Sequence, residues 1–134
     1  MTGRYMLDTN ICIYAIKKQP AKVFAALRAH EAKGIVISSI TAGELWYGVA
    51  KSESRKNSTA LREFLSPFEI MSFDDKAAER YGHVRAKLES SGQPIGPLDT
   101  QIAAHALTLG VTLVSNNLRE FERVAGLKLA NWAV

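Results

Sequence analysis

Three acidic residues lie next to apolar segments that we expect to be buried. Asp8 ends the apolar stretch 5–7, Glu44 follows the apolar run 35–37 and a turn-like segment, and Asp99 opens a mostly apolar helical stretch. A carboxylate beside buried segments is energetically costly unless a positive charge compensates it. If the fold brings the three together, one divalent cation of the kind that prefers hard oxygen ligands compensates all of them. These residues therefore predict a metal-dependent enzyme that acts on phosphate groups.

Two residues after the last predicted main strand could add oxygen ligands to the same site. They are Asn117 and Glu120, whose structural alternatives are a turn after the strand and a solvated helix position. A held metal could lower the pKa of a bound water and neutralise charge on a scissile phosphate, so the protein needs no covalent nucleophile. The chain has no Gly-x-Gly-x-x-Gly, Walker or Gly-x-Ser-x-Gly pattern that would indicate a different phosphate or acyl chemistry.

Each of the three acids also has a purely structural explanation. Asp8 could cap a helix after a strand, and Asp99 could favour the positive end of its own helix. Glu44 could be the acid of a Thr-Ala-Gly-Glu capping box that begins at Thr41, and taken alone the capping box explains Glu44 better than metal binding does. These separate explanations do not account for the expectation that all three acids point to the same end of one sheet.

Strand-like segments alternate with helix-like segments along the chain, which predicts an α/β fold with a mostly parallel sheet covered on both faces. We expect Thr9 or Asn10 to cap the first helix and Thr41 to cap the third. In such sheets, sites form beyond the carboxyl ends of the strands, where Asp8 and residues 115–117 fall. The predicted strands are 4–8, 35–38, 69–73, 111–115 and an edge strand at 128–132; the predicted helices are 10–17, 20–33, 41–52, 59–65, 74–90, 98–109 and 117–124, with a loop or helix connection at 51–58 and an irregular loop at 91–97.

The length and composition are those of one globular domain, and we predict a single domain over residues 1–134. The chain is 47% hydrophobic and 22% charged, and none of its apolar runs approaches the roughly 20 residues of a membrane span. Asp8 interrupts the apolar residues near the N-terminus, so we expect no secretory signal, no membrane partner and a cytoplasmic location. The single cysteine, Cys12, excludes an internal disulfide and is expected to be a small buried hydrophobic residue.

The charge balance mildly favours a polyanionic partner. The net charge is +4 and the pI is about 9.3, which is compatible with nucleic acid but does not require it. Trp46 and Tyr47 are expected in the core rather than as base-stacking platforms, and His105 is expected to be packed or hydrogen-bonded. The candidates for contacts with RNA phosphates are Lys17, Lys18, Arg85 and Lys87.

Four sequence blocks occur in an order that covers nearly the whole chain: Met6 to Asn10, Ser39 to Gly48, Ile95 to Ala106 and Val114 to Phe121. Together they resemble PIN-domain ribonucleases, and most closely the VapC toxins of bacterial toxin–antitoxin pairs. The resemblance implies the PIN α/β/α sandwich, with its central parallel sheet, and Mg²⁺- or Mn²⁺-dependent endonucleolytic cleavage of RNA.

The resemblance also implies roles for individual residues. Asp8, Glu44 and Asp99 match the metal-binding acids of the family, and Ser115 matches a hydroxyl position that often accompanies them. The fourth acidic position of the family matches Asn117 here, which puts a second tightly held metal in doubt. Glu120, one helical turn further on, could compensate for this difference.

The same resemblance implies a substrate and partners. The Asn-Asn-x-Arg-Glu-Phe segment at 116–121 is similar to the VapC subgroup that cuts initiator transfer RNA in its anticodon stem-loop, with inhibition of translation as the consequence. Family members usually form homodimers and are neutralised by a small antitoxin, VapB, whose C-terminal segment fills the active-site groove. We therefore expect a homodimer and a higher-order complex with an antitoxin.

Two alternative functions remain compatible with the residues. One is a small phosphatase with Asp8 as its nucleophile, although such enzymes usually need a second acid two residues later, where this chain has Asn10. The other is a non-catalytic basic module that binds RNA or a partner, with acids that only cap helices. An aspartyl-phosphate on Asp8 would favour the first, and Mg²⁺-independent RNA binding without cleavage would favour the second.

Overall fold

The computed structural model describes residues 4–134, so residues 1–3 of the predicted domain lie outside the described residues. Helices follow each of the first four strands, as the alternating sequence pattern predicts. A short 3₁₀ turn, Glu31–Lys33, separates the second helix from the second strand. The elements in chain order are β1 (Tyr5–Leu7), α1 (Thr9–Lys17), α2 (Ala21–His30), β2 (Ile35–Ser38), α3 (Ser39–Ser52), α4 (Arg55–Leu65), β3 (Glu69–Met71), α5 (Asp75–Ser90), α6 (Pro97–Leu109), β4 (Thr112–Val114), α7 (Leu118–Phe121) and β5 (Leu129–Ala130).

The five strands form one sheet in the order β3-β2-β1-β4-β5, and every neighbouring pair is parallel. Tyr5 of the central strand lies opposite Ile35 on one side and Thr112 on the other. The predicted α/β fold is confirmed, and the sheet is parallel throughout rather than mostly parallel. Because the strands are parallel, their carboxyl ends share one edge, and the residues that follow β1, β2 and β4 meet there.

Successive residues of the inner strands face two separate cores. Leu7 and Ile37 pack with α1, α2 and α4 on one face of the sheet, whereas Met6 and Val36 pack with α5, α6 and α7 on the other. This two-sided burial explains why the strand segments are continuously apolar instead of alternating with polar residues. None of the helices in residues 4–134 is both long and apolar enough to cross a membrane.

The helix caps differ from the predicted ones. Asp8, not Thr9 or Asn10, is the N-cap of α1. Ser38, not Thr41, is the N-cap of α3, and its hydroxyl accepts a hydrogen bond from the Ile40 N–H at 3.1 Å. The predicted capping box of Thr41 and Glu44 is therefore wrong, because α3 begins two residues before Thr41.

Other differences concern boundaries and one aromatic residue. The predicted loop or connection at 51–58 is mostly helical, because α3 extends to Ser52 and α4 begins at Arg55 rather than at residue 59. The predicted helix at 117–124 is shorter, Leu118–Phe121. Trp46 packs against the core as expected, but the prediction for Tyr47 is wrong, since its side chain is 63% exposed.

Candidate active site

Asp8 lies at the carboxyl end of the central strand, where a buried acid has few solvating partners. Its side chain is buried, its Oδ1 accepts the Ile11 N–H at 2.9 Å, and the Ser115 hydroxyl forms a second hydrogen bond with it. Burial raises the pKa of the Asp8 carboxyl, and the two hydrogen bonds oppose that rise only in part. The cap therefore accounts for one carboxylate lone pair, and neither of the two groups that lower the pKa of Asp8 is a cation.

Asp99 and Glu120 are neighbours, although the chain separates them by a helix, a strand and a loop. Asp99 lies in the first turn of α6, two residues after Pro97 at the helix start, and Glu120 lies in α7. Burial, the charge of Glu120, a hydrogen bond with Glu120 and the charge of Asp8 together raise the pKa of Asp99 to about 6. Asp99 is thus close enough to Glu120 and Asp8 for both charges to act on it, and the predicted contribution of Glu120 to the site is compatible with this position.

Glu44 is the third acid that lines the cleft. It lies in the second turn of α3, half-buried, and faces the same cleft as Asp8 and Asp99. Because α3 is capped by Ser38, Glu44 makes no capping contact with the start of its helix. Its position is therefore available for a ligand, which the capping-box explanation did not allow.

The cleft between these acids has a volume of about 370 Å³. Its lining contains three acids and no lysine, arginine or histidine; the lining residues are Asp8, Thr9, Asn10, Glu44, Gly96, Pro97, Leu98 and Asp99. Within residues 4–134, no three histidine, cysteine, aspartate or glutamate side chains are close enough to hold a metal ion directly. The acids thus surround a space rather than a closed coordination shell, and a cation there would keep water molecules between itself and some of them.

Hydrogen bonds fix the loop after β4, both within the loop and to α1. The Ser115 hydroxyl accepts the Asn117 N–H at 2.9 Å, and the exposed Asn116 donates its side-chain N–H to the Tyr14 hydroxyl at 2.9 Å. Asn117 is half-buried and is the N-cap residue of α7 without a side-chain capping bond. The amide of Asn117 is therefore free to contribute an oxygen, whereas its backbone is fixed through Ser115 to Asp8.

A buried hydrogen-bonded pair between α6 and the start of α3 was not identified from the sequence. The buried His105 of α6 lies with its Nδ1 2.8 Å from the Ser38 hydroxyl, which also caps α3. Burial lowers the pKa of His105, although the charge of Asp74 and a backbone hydrogen bond with Ser72 oppose this effect. His105 is hydrogen-bonded as expected, and its partner, 67 residues away in the chain, fixes the helix of Glu44 to the helix of Asp99.

The four predicted phosphate contacts lie on different surfaces. Lys17 lines a groove between α1, α3 and α4, and the Lys18 ammonium lies 5.1 Å from the centre of the Phe24 ring. Arg85 forms an ion pair with Glu89 at 2.9 Å, and Lys87 faces another cavity of α5. The fold does not gather them into one patch, so their role in RNA binding stays a prediction.

The sheet topology and the acidic cleft together define a PIN-type α/β/α domain, and comparison with known proteins agrees. The PIN domain family matches residues 5–127. Ribonuclease VapC2 of Haemophilus influenzae is 45% identical over 96% of this chain and 98% of its own length. The tRNA(fMet)-specific endonuclease VapC of Shigella flexneri is 44% identical over 97% of this chain and 98% of its own length.

Solved structures extend the similarity to three dimensions. The crystal structure of VapBC2 from Rickettsia felis, bound to a DNA fragment from its promoter, contains a chain with a TM-score of 0.89 and 45% identity, covering 96% of this chain and 98% of that one. DNA-bound VapBC from Salmonella typhimurium gives a TM-score of 0.89 at 40% identity, covering 98% and 99%. The chain belongs to the VapC ribonucleases of the PIN-domain family, a family of nucleic-acid hydrolases.

Proposed function

We propose that this protein is the toxin of a type II toxin–antitoxin pair, a Mg²⁺-dependent endoribonuclease whose active site is the acidic cleft. The observation that carries the proposal is the convergence of Asp8, Glu44 and Asp99 on one cleft that no basic side chain lines. The near full-length similarity to VapC ribonucleases supports the same reaction class.

The donor set fits a hard divalent cation, and nucleases of this family generally depend on one. Asp8, Asp99 and Glu44 would hold Mg²⁺, or Mn²⁺ in its place, through carboxylate oxygens and intervening waters. When bound, the ion supplies charge neutralisation at the scissile phosphate and lowers the pKa of an attacking water. Burial, together with the charges of Glu120 and Asp8, raises the pKa of Asp99, and a cation bound beside these carboxylates would lower it again.

The remaining predicted residues have supporting roles in this proposal. Glu120 hydrogen-bonds Asp99 and would supply the fourth acid of the site, which Asn117 cannot supply as a neutral amide. Ser115 orients Asp8 and holds the backbone of Asn117, so it fixes two parts of the site at once. These assignments keep the catalytic groups on strand ends and helix starts, where their backbone is rigid.

We further propose initiator transfer RNA, cut in its anticodon stem-loop, as the substrate. The support is the segment 116–121 and the similarity to the endonucleases of Shigella flexneri and Salmonella typhimurium, which are named for tRNA(fMet). Cleavage there would inhibit translation. Total transfer RNA is therefore the substrate of choice for the first assay.

A VapB-type antitoxin and a second copy of this chain are the proposed protein partners. The groove between α1, α3 and α4 has a volume of about 370 Å³ and a mostly apolar lining that includes Ile13, Ile16 and Leu61. Glu44 lines both this groove and the acidic cleft, so a segment seated in the groove would reach the active site. The VapBC complexes among the solved relatives support an antitoxin partner. The homodimer and its higher-order complex with the antitoxin are proposed from the resemblance of the sequence blocks to VapC toxins.

The test is cleavage of total transfer RNA by the purified protein, with Mg²⁺ and with excess EDTA, followed by mapping of the ends. We expect cleavage only with Mg²⁺, leaving a 5′-phosphate and a 3′-hydroxyl, and no cleavage by Asp8→Asn or Asp99→Asn. The exposed Asp75 in the first turn of α5 gives the matched control, since Asp75→Asn removes one carboxylate outside the cleft.

Three outcomes would contradict the proposal. Equal cleavage in EDTA would remove the metal from the mechanism, and a 2′,3′-cyclic phosphate would show attack by the ribose hydroxyl instead of water. RNA binding without any products, unchanged by Asp8→Asn, would instead indicate a non-catalytic module.

A further inference from the structure

A basic cavity lies outside the acidic cleft, between α5, α6 and the turn after α7. Its volume is about 280 Å³. Arg80 and Lys87 of α5 line one side, Arg123 lines the other, and His83 lies beside them, whereas no acidic residue lines it. It is therefore opposite in charge to the cleft, and the catalytic site does not use it.

Two of its basic residues, Arg80 and Lys87, are available for a ligand. Arg80 and Lys87 are exposed, and within residues 4–134 their side chains make no hydrogen bond or ion pair. Arg85 on the same helix differs, because its guanidinium is neutralised by Glu89 at 2.9 Å. A surface with uncompensated cations attracts anions more strongly than one whose cations are already paired.

The spacing of these cations suits an extended anion. Arg80 and Lys87 are seven residues apart on α5, which is about 10.5 Å along the helix axis. Val84 lines the cavity between them, and Leu88 lines it next to Lys87. A chain of phosphates can contact the whole length of this row.

A depression of about 150 Å³ has lining residues in common with both the cavity and the cleft. It shares Pro97 with the acidic cleft and Leu88 with the basic cavity, and the Arg85–Glu89 ion pair also lines it. In addition, Arg123 donates a hydrogen bond at 3.0 Å to the carbonyl of Pro94, in the loop that leads to Asp99. A polymer with one phosphate in the cleft can therefore continue along this route to the cations.

We propose that this basic cavity binds backbone phosphates of the RNA substrate away from the bond that is cut. The proposal rests on the ribonuclease function above and adds a second contact surface to it. The acids of the cleft repel RNA, so a separate cationic surface is needed to hold the polymer near them. Contacts of this kind position the RNA and contribute affinity without reading its sequence.

The experiment compares two double variants that lower the net charge equally. The test variant carries Arg80→Glu and Lys87→Glu; the control carries Lys22→Glu and Lys33→Glu, which are exposed and lie on the α2 side of the sheet. We expect the KM for total transfer RNA to rise about tenfold in the test variant, with kcat unchanged and a weaker dependence on salt. The control should change KM far less, and cleavage of a short RNA that spans only the cleft should change in neither.

Several results would overturn the proposal. An equal KM in both double variants, or an equal loss of activity on the short RNA, would contradict it. A change in the molecular mass in solution would make the cavity an interface between copies of the chain. Weaker antitoxin binding with an unchanged KM would make it a protein-binding site. The pair Arg80→Gln and Lys87→Gln should give a smaller rise of the same sign, with circular dichroism reporting the fold of each variant.

Failure of the ribonuclease proposal has a different signature. If the unaltered protein cuts no RNA, its binding of intact transfer RNA is compared with that of the two double variants. Weaker binding by the Arg80 and Lys87 variant alone supports the cavity as a phosphate site, and equal binding by all three proteins overturns it.

Discussion

Asp99 is the residue at which the electrostatics of the cleft are most unfavourable without a cation. Its pKa is raised from an ordinary 3.8 to about 6 by burial and by the charges of Glu120 and Asp8. Since the folded state then holds a proton that the unfolded state has already released, stability falls as the pH rises from about 4 to 6. Above that window the charge of Asp99 opposes folding, and a bound divalent ion would remove the opposition.

This reasoning gives a prediction for Asp99→Asn in the absence of divalent ions. At pH 7.5 the variant should be more stable than the unaltered protein by on the order of 1 kcal/mol, a value discounted because Asp99 is only half-buried. The gain should disappear near pH 4, where Asp99 is protonated, and Mg²⁺ should raise the melting temperature of the unaltered protein more than that of the variant. Thermal unfolding at both pH values measures this, and a constant difference across the pH range would contradict it.

Asp8 combines a structural and a proposed catalytic role, and two substitutions separate them. Asparagine caps helices as well as aspartate does, so Asp8→Asn should keep α1 intact and lose only the charge. Asp8→Ala should also lose the cap and cost about 1 kcal/mol of stability relative to Asp8→Asn. Urea unfolding and RNA cleavage are measured side by side; we expect cleavage to be absent in both variants and stability to differ between them. Equal stability would show that the bond between Asp8 Oδ1 and the Ile11 N–H contributes little.

At the scale of elements, the start of α3 decides where Glu44 points. Ser38 ends β2, caps α3 and hydrogen-bonds His105, so three elements meet at one hydroxyl. Thr41 lies inside the helix, and its hydroxyl is buried without a hydrogen-bond partner among the described residues. These contacts place Glu44 in the second turn of α3, facing the cleft rather than the helix end.

Two substitutions distinguish this arrangement from a capping box at Thr41. Thr41→Val replaces an unpartnered buried hydroxyl by a methyl group of similar size and should be neutral or stabilise the protein by up to about 1 kcal/mol. Ser38→Ala removes the cap and the partner of His105 and should cost about 1–2 kcal/mol. Equilibrium unfolding in urea checks both values. The opposite order, with Thr41→Val the more damaging change, would restore the capping box.

At the scale of the whole molecule, Glu44 joins two recesses with different lining. The acidic cleft lies on one side of it, and the groove of α1, α3 and α4 lies on the other. A peptide in the groove would therefore approach the proposed active site without covering the basic cavity, whose lining comes from α5, α6 and the turn after α7.

The groove gives a prediction about inhibition. Ala60 lines it and is half-buried, so Ala60→Glu would place a charge in its apolar wall and should weaken binding of the cognate VapB-type antitoxin at least tenfold. Ribonuclease activity without antitoxin should stay unchanged. The control is Ala29→Glu, an exposed position on α2. Titration of cleavage with antitoxin reads out both variants, and equal inhibition of both would exclude this groove as the antitoxin site.

The order of secondary structure and the identity of the acids followed from the sequence alone. Apolar β-branched segments between amphipathic helices lead to a parallel sheet with two cores, and the chain must then present Asp8 at a strand end and Asp99 at a helix start. The four sequence blocks added the reaction class through their resemblance to PIN-domain ribonucleases, a family to which the chain belongs. Local pattern was sufficient for these features because it reflects backbone periodicity and burial, which act over short stretches of chain.

Only the tertiary structure decided which residues meet. Ser38 and Thr41 are both of residue types that cap helices well. In the folded chain Ser38 is the cap, and the same hydroxyl contacts His105, 67 residues away. The proximity of Asp99 to Glu120, and of Arg123 to the cations of α5, likewise depends on packing between distant elements. Such contacts arise from the geometry of helices laid on a sheet, and a sequence carries no local periodicity that marks them.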